Sequence, residues 1–148
     1  MEIRKIKKED FEGYLRLKKE SLKDYSKLTG EKIKFSIDKI RKEFDDFISK
    51  KNKFAIIIRD KEVIGYITGM FVKNIYNRYG YIDDLFISKN FRKKEYAKSL
   101  LKEFTKIMKL KGVENIRLGV RINNRKAINF YKKNDFKTIH YEMEKKLK

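Results

Sequence analysis

Residues 81–101 read YIDDLFISKNFRKKEYAKSLL, and this stretch decides the fold. The first part is rich in β-branched and aromatic side chains, and it predicts a strand over residues 79–87. From residue 91 to about 111, apolar residues recur on one helix face, and Gly112 is suited to end that helix. A further strand is predicted at 116–120, so the segment forms a β-α-β unit with parallel strands.

The rest of the chain is interpreted from apolar spacing and from capping or turn residues. The order β-α-α-β-β-β-α-β-α-β predicts a mixed α/β fold with helices on both faces of the sheet. No linker or repeat interrupts this order, so residues 1–148 are predicted to form one domain. The other predicted elements are a strand at 1–7, a helix at 8–25, a helix capped by Ser36, a hairpin of strands at 54–59 and 63–72, a short helix at 124–134 and a strand at 136–147.

Composition narrows the range of functions. The chain has no cysteine, which excludes a disulfide framework, a thiolate metal site and a cysteine nucleophile. It has one histidine, His140, which argues against a histidine metal site or a serine–histidine triad, so His140 is expected to be structural or exposed. No apolar run approaches the roughly 20 residues of a membrane span, and the charged N-terminus is not a signal peptide. We expect a cytoplasmic protein without a metal or a membrane partner.

The net charge of +19 can arise in two ways. It could mark a polyanionic partner such as a nucleic acid, or it could reflect the amino-acid bias of an AT-rich genome together with solubility. The basic residues are spread along the whole chain, and no nucleic-acid-binding motif is visible. Compositional bias is therefore favoured, and part of the positive field could serve an anionic cofactor.

Basic residues concentrate where the strand at 79–87 passes into the following helix. Arg92, Lys93, Lys94 and Lys98 lie at or near the start of that helix. Free backbone N–H groups and the helix dipole attract anions at such a position, and basic side chains add charge-assisted donors. The segment is a candidate phosphate-binding turn, although basic residues also occupy solvated helix faces.

This turn resembles the acetyl-CoA-binding motif of the GNAT superfamily of N-acetyltransferases. The family pattern is Arg/Gln-x-x-Gly-x-Gly/Ala after a strand of the type Asp-Leu-Phe-Val. Arg92 and Ala97 match, whereas Lys93 and Glu95 stand where glycine is common. Glycine lets the backbone approach a pyrophosphate without a Cβ, so the Glu95 side chain is expected to point outward.

A second motif occurs in the right order further along the chain. Residues 118–136 resemble the family pattern Asn-x-x-Ala-x-x-Phe-Tyr-x-x-x-Gly-Phe. Asp135 stands at the usual glycine, and Asp tolerates the left-handed conformation better than most residues. The resemblance covers nearly the whole chain and implies a mixed, mostly antiparallel sheet with a parallel β-α-β cofactor unit. The matching residues are Asn124, Ala127, Phe130, Tyr131 and Phe136.

The resemblance also implies the reaction and the cofactor site. A primary amine would attack the thioester of acetyl-CoA directly, without a covalent enzyme intermediate or a metal. The strand would pair with the pantetheine arm, the turn would bind the pyrophosphate through backbone N–H groups, and the second motif would hold the cofactor arm. The predicted cofactor-binding residues are Leu85, Phe86, Ile87, Arg92, Lys93, Lys94, Glu95, Tyr96, Ala97, Lys98, Asn124, Ala127 and Tyr131.

Two residues are predicted to handle protons. Tyr131 is the predicted general acid, because a phenol with a pKa of about 10 can donate to a thiolate; the alternative is that it only packs its helix on the sheet. Asp83 is the predicted base, with Asp84 or solvent as alternatives. Neighbouring residues on a regular strand face opposite sides, so only one of the two acids is expected to face the amine.

The amine would be bound by the first two helices and the loops near them. Asp38, Glu43, Asp45 and Asp46 could line an anionic mouth or simply form a solvated helix face. Residues 76–80 could add an aromatic wall for a cation. A small-molecule amine such as a polyamine, an aminoglycoside or a streptothricin-like antibiotic is favoured over a peptide N-terminus or a protein lysine. A non-catalytic CoA-binding protein stays open, and a homodimer is compatible with the sequence.

Overall fold

A computed structural model describes residues 1–92 and 94–148. The described elements follow the predicted order as far as the short helix predicted at 124–134. They are β1 Glu2–Lys5, α1 Phe11–Thr29, α2 Ile37–Ser49, β2 Lys53–Asp60, β3 Glu62–Lys73, β4 Arg78–Ile87, α3 Lys94–Leu110, β5 Ile116–Leu118 and α4 Arg125–Lys133, with 3₁₀ turns at Lys8–Asp10 and Lys89–Phe91.

The strands form one sheet in the order β1-β2-β3-β4-β5. The first three pairings are antiparallel, and β4 pairs with β5 in parallel. A parallel pair needs a crossover connection, and α3 supplies it. The predicted mixed, mostly antiparallel sheet with a parallel β-α-β unit is confirmed.

Helices bury both faces of this sheet. On one face, Tyr14 of α1 and Phe44 of α2 pack against Ile57 of β2 in one core cluster. On the other face, Phe104 of α3 packs in a second cluster with Ile56 of the same strand. Successive strand residues point to opposite faces, so a strand covered on both sides must be apolar at nearly every position. This requirement explains the uninterrupted apolar run in β2.

Turn and capping residues stand where the sequence predicts them. Ser36 caps α2, and its Oγ accepts a hydrogen bond of 3.3 Å from the Lys39 N–H. Gly112 follows α3 with a φ of 76°, in the left-handed region where glycine carries no Cβ penalty. Asp135 has a φ of 69°, which confirms that it adopts the left-handed conformation in place of the usual glycine.

The C-terminal segment departs from the prediction. A strand at 136–147 is wrong, because residues 137–148 belong to no helix or strand and are exposed throughout, His140 included. The alternation of apolar residues is present, but an isolated extended chain gains strand structure only from a sheet edge that pairs with it. Strand β5 is also shorter than predicted and ends at Leu118. In the described residues, no helix has the length and apolar character required to cross a membrane.

Candidate active site

A β-bulge shapes the centre of the site. Thr68 of β3 pairs with Asp84, but the next residue, Gly69, pairs with Ile82, so Asp83 is the extra residue of β4. A Cβ on Gly69 would overlap the Tyr81 carbonyl oxygen. Only glycine fits so close to the bulged strand, so the bulge depends on the glycine at position 69.

The bulge overturns the prediction that only one of the two acids can face the amine. Alternation holds for a regular strand, and the extra residue interrupts it. Asp83 and Asp84 therefore line the same pocket, which has a volume of about 560 Å³. Glu43 of α2 adds a third carboxylate to the lining, as the predicted anionic mouth requires.

The other residues predicted to line the entrance for the amine do not line this pocket. Asp38 and Asp45 are exposed and do not line the pocket, while Asp46 forms an ion pair of 3.4 Å with Lys53. Tyr76 is exposed, and the ring of Tyr79 lies 4.4 Å from the Arg117 guanidinium. The lining includes neither tyrosine. The pocket does include apolar and aromatic side chains from other segments, among them Leu22, Tyr25, Ile33, Phe47 and Met70.

Asp84 is held by several donors. Its Oδ2 accepts a hydrogen bond of 2.6 Å from the Tyr66 hydroxyl and one of 3.4 Å from Ser21 Oγ. Lys18 Nζ lies 3.4 Å from the same oxygen and 3.6 Å from Glu43. Glu43 in turn accepts a hydrogen bond from the hydroxyl of Tyr14. Two acids of the pocket are thus anchored by α1 and by a buried tyrosine each.

The two buried tyrosines stay protonated. Burial raises the pKa of Tyr14, and the charge of Glu43 raises it further. Burial also raises the pKa of Tyr66, with the charge of Asp84 as the next cause. Each hydroxyl is therefore a donor to its carboxylate. The sequence alone does not mark these tyrosines as site residues, because their spacing identifies them only as core positions of α1 and β3.

Asp83 differs from its neighbour. Its side chain is exposed at the pocket, and no hydrogen bond to another described side chain holds it. Desolvation by surrounding atoms raises the pKa of Asp83, the charge of Glu43 raises it further, and Lys53 and Lys18 oppose the rise. An accessible carboxylate with a raised pKa binds a proton more readily than an ordinary Asp.

Beside the pocket, β4 and β5 separate. Their pairing ends at Ile82 and Leu118, whereas β4 continues to pair with β3 as far as Ile87. The loop after β5 is drawn towards α1, because Asn123 donates a hydrogen bond of 2.9 Å to the Leu28 carbonyl. Among the described strands, none covers the β5-facing edge of β4 beyond Ile82. An extended molecule can pair with such an edge as an added strand.

The end of α1 fixes the turn that follows β4. Glu20 accepts hydrogen bonds of 3.1 Å from Ser88 Oγ and 2.7 Å from the Lys89 N–H. Arg92 donates a hydrogen bond of 2.6 Å to Asp24 and one of 3.1 Å to the Ile87 carbonyl. The Arg92 guanidinium is thus engaged by groups of the protein and holds the turn in place.

The remaining residues of the predicted phosphate turn surround the start of α3. Lys93 lies outside the described residues, and Lys94 begins the helix. Glu95 is exposed, as predicted, and Lys98 is exposed one turn later. Tyr96 and Ala97 are half-buried against the core of that face, so their side chains serve packing.

The second motif builds α4. Asn124 Oδ1 accepts a hydrogen bond of 3.2 Å from the Ala127 N–H and caps the helix. The ring of Tyr131 makes edge contacts with Phe130 and Phe136 at 5.3 Å each. Burial raises the pKa of Tyr131, and the charge of Asp84 raises it further. The phenol is thus kept protonated and lies within electrostatic range of the pocket.

A metal has no evident place in this arrangement. Across residues 1–92 and 94–148, no group of three or more His, Cys, Asp or Glu is positioned to hold a metal ion. The groups that the site presents are carboxylates, phenols, backbone donors and an unpaired strand edge. Together these can bind an amine, accept a proton and hold an extended anionic molecule.

Known proteins share this architecture. Residues 13–136 match the model of the Acetyltransferase (GNAT) family. Spermidine N(1)-acetyltransferase of Thermoplasma acidophilum is 31% identical over 149 residues, covering 93% of this chain and 88% of that protein. The solved structure of a tetramutant of the BH1408 protein from Bacillus halodurans has a TM-score of 0.90 at 18% identity, with 99% and 100% of the two chains covered.

A second solved structure shares the fold. AAC(6')-Iy, in complex with the bisubstrate analogue CoA-S-monomethyl-acetylneamine, has a TM-score of 0.79 at 14% identity, with 99% of this chain and 97% of that chain covered. The family match spans most of the sequence and includes both motifs. The chain belongs to the GNAT family of acetyltransferases.

Proposed function

We propose that the protein transfers the acetyl group of acetyl-CoA to a primary amine of a small molecule, by direct attack in a ternary complex. The observation that carries this proposal is the position of the pocket. Three carboxylates, those of Glu43, Asp83 and Asp84, line one cavity at the bulge of β4, where the open edge of the same strand begins.

The cofactor would follow that open edge. The pantetheine arm would lie beside Leu85, Phe86 and Ile87 and pair with their backbone, while the pyrophosphate would accept hydrogen bonds from backbone N–H groups at the start of α3. The side chains of Phe86 and Ile87 are buried, so they are not available to a ligand and the backbone would make the contact. Asn124 and Ala127 would act through the capped start of α4, which supports the loop beside the arm.

The amine would enter the acidic pocket as an ammonium ion. The chain as a whole carries a charge of +19, which repels cations, so local carboxylates are needed to bind one. Lys18 offsets part of their charge, since it contacts both Glu43 and Asp84. Asp83 keeps an exposed carboxylate for the substrate. A polyamine suits such a site, and the relative named for spermidine supports this choice.

The proposed reaction releases one proton overall, because an ammonium ion and a thioester give a neutral amide and a free thiol. The ammonium loses a proton to Asp83, directly or through water, and the free amine attacks the carbonyl carbon of the thioester. A backbone N–H of β4 would stabilise the oxyanion. The carbon–sulfur bond then breaks, and the thiolate takes the phenolic proton of Tyr131 to leave as the free thiol. The nitrogen of the new amide gives up its second proton, which restores the phenol, and Asp83 returns the first proton to solvent. The products are an N-acetylated amine and CoA.

A release assay for free CoA tests the proposal. We expect turnover with spermidine or spermine, and a weaker rate with an alkyl monoamine of similar length that carries a single charge, because only the polyamines place a second ammonium among the carboxylates. Aminoglycosides and a lysine-containing peptide complete the panel. Turnover of the peptide alone would assign a protein or peptide substrate instead. Binding of acetyl-CoA by calorimetry without turnover of any amine would identify a non-catalytic family member.

A further inference from the structure

The acidic pocket contains an ammonium group of the protein itself. Lys18 of α1 lines the pocket, and its Nζ lies 3.4 Å from Asp84 Oδ2 and 3.6 Å from Glu43 Oε1. The Lys18 side chain is only 16% exposed, so its ammonium is largely removed from bulk water. A cation of the protein thus stands between two of the three carboxylates, at a place where they would also attract a cationic ligand.

The second lysine of the lining is engaged differently. Lys53 Nζ lies 3.4 Å from Asp46, an acid that does not line the pocket. The charge of Lys53 is therefore offset from outside the lining, whereas the charge of Lys18 is offset by carboxylates of the pocket. Lys18 is the lysine of the lining that contacts the acids a cationic substrate would use.

The two carboxylates next to Lys18 have further capacity to accept hydrogen bonds. The described contacts of Asp84 use its Oδ2, and those of Glu43 use its Oε1. A carboxylate has two oxygens with about four acceptor sites, so each can accept from a second ammonium while Lys18 stays in place. The two ammonium groups would then be close neighbours, and like charges repel. A second cation can thus enter, but against the charge of Lys18.

We propose that Lys18 limits the preference of the pocket for polyamines, because its ammonium competes with the second ammonium of the substrate for Glu43 and Asp84. This inference rests on the proposed function and names a residue that sets the selectivity between polyamines and monoamines. Lys18 is tethered to α1 by a short stem, so its ammonium has a high effective concentration at both carboxylates. A monoamine brings its single ammonium to Asp83, with which Lys18 forms no ion pair among the described residues, and is affected less.

Replacing Lys18 by a neutral side chain of similar length tests the inference. Lys18→Met keeps an apolar stem and removes the ammonium. Calorimetry on protein saturated with CoA measures the dissociation constants of spermidine and of an alkyl monoamine of similar length without any chemical step. We expect the ratio of the two to shift towards spermidine by about five-fold, the upper end of what an exposed charge pair contributes. Lys18→Arg keeps the charge and should retain the selectivity of the unaltered chain.

Lys23→Met is the matched control. Lys23 is an exposed residue of α1 that does not line the pocket, so its replacement removes the same charge from the same helix. At physiological salt, which screens distant exposed charges, the control should have the selectivity of the unaltered chain. Unchanged selectivity in Lys18→Met, or an equal gain in both methionine variants, would overturn the inference and leave the proposed function intact.

Thermal melting adds a measurement that does not depend on the ratio of affinities. Without Lys18 the two carboxylates repel each other, so Lys18→Met should melt at a lower temperature, and spermidine should raise its melting temperature more than that of the unaltered chain. If the methionine variant does not fold, Lys18→Gln replaces it with the same expected selectivity, because its amide can donate to both carboxylates. Failure of the unaltered chain and of every variant to bind either amine would overturn the proposed substrate class and this inference together.

Discussion

Burial acts on Asp83 and Tyr131 in the same direction, because it favours the neutral form of each side chain. For Asp83, a raised pKa means a carboxylate that takes up a proton more readily. For Tyr131, a raised pKa means a phenol that stays protonated at neutral pH. It is also a weaker acid than an ordinary tyrosine, so its proton would pass to the thiolate only as the carbon–sulfur bond breaks beside it. In the proposed reaction the two residues would act at opposite ends of one proton path, from the ammonium to the leaving sulfur.

Removing the hydroxyl of Tyr131 should slow the reaction without loosening the fold. Tyr131→Phe keeps the ring contacts with Phe130 and Phe136 but cannot donate a proton. We expect kcat to fall by at least about ten-fold, as for other lost general acids, with little change in KM for acetyl-CoA. Steady-state kinetics at neutral pH measures both values. Unchanged kcat would mean that the phenol only packs α4 against the core.

Replacing Asp83 should have opposite effects on activity and on stability. A group whose pKa is raised on folding contributes stability below its unfolded pKa, and this contribution is lost as the pH rises through the folded pKa. Ionised Asp83 is therefore unfavourable at neutral pH. Asp83→Asn should raise the urea midpoint at pH 7 more than at a pH below the ordinary Asp range, where both side chains are neutral.

Activity of the same variant should fall, most clearly where the base limits the rate. The proton-accepting form of Asp83 exists only above its raised pKa, so kcat/KM should increase with pH through that region in the unaltered protein. Asp83→Asn is expected to lower kcat/KM and remove this increase. Asp45→Asn, an exposed change on α2, is the control and should leave the profile intact. A persistent increase in the Asp83 variant would transfer the role to Asp84 or solvent.

At the scale of the elements, Gly69 makes the bulge of β4 possible. In Gly69→Ala the Cβ would overlap the Tyr81 carbonyl oxygen and lie 2.7 Å from the Phe104 ring, neither of which is a flexible end. Overpacking of this kind costs about 1–3 kcal/mol or more, and relief requires the strands to part beside the pocket. Urea unfolding should show the loss, together with reduced activity.

A second glycine provides the matched control for that substitution. In Gly119→Ala the Cβ would lie 3.3 Å from the Tyr81 hydroxyl, which is the far end of a side chain and can give way. We expect a much smaller loss of stability than in Gly69→Ala. Equal losses in the two variants would show that the bulge has no special requirement for glycine.

The hairpin between β2 and β3 contains a correctable strain. Lys61 has a φ of 67°, and an L-residue with an ordinary side chain pays about 1–2 kcal/mol in that region. Lys61→Gly should therefore raise the unfolding free energy, with part of the gain offset by the greater freedom of glycine in the unfolded chain. Asp135→Gly should gain less, because Asp tolerates the left-handed conformation. Thermal melting of both variants checks the order.

The helices and the hairpin could be predicted because their signals are local. Ser36 caps α2 and Gly112 ends α3 as their residue types suggest. The bulge at Asp83 could not be predicted, because it depends on the register between β3 and β4, which adjacent residues do not reveal. Gly69 is the one hint in the sequence, yet a glycine inside a strand can equally mark a bend or the close approach of a ligand.

At the scale of the whole molecule, the site depends on contacts between distant segments. Both motifs were recognisable in the sequence, and Glu43 was among four candidate acids on α2. Only the packing of α2 beside β4 identifies Glu43 among these four acids as a site residue. That packing places Glu43 and Asp84 in contact with the same lysine, Lys18. The C-terminal segment was the opposite case, since its alternation was visible in the sequence but residues 137–148 pair with no described strand.

The open edge of β4 has a consequence for handling the protein. An uncovered strand edge is a template on which other chains can add strands and aggregate. In the proposed complex, the pantetheine arm would pair with this edge and block such contacts. Without cofactor, mutual repulsion of molecules with a charge of +19 is the remaining protection. Salt weakens that repulsion. We expect turbidity to develop with added salt in cofactor-free samples, and to be suppressed by CoA.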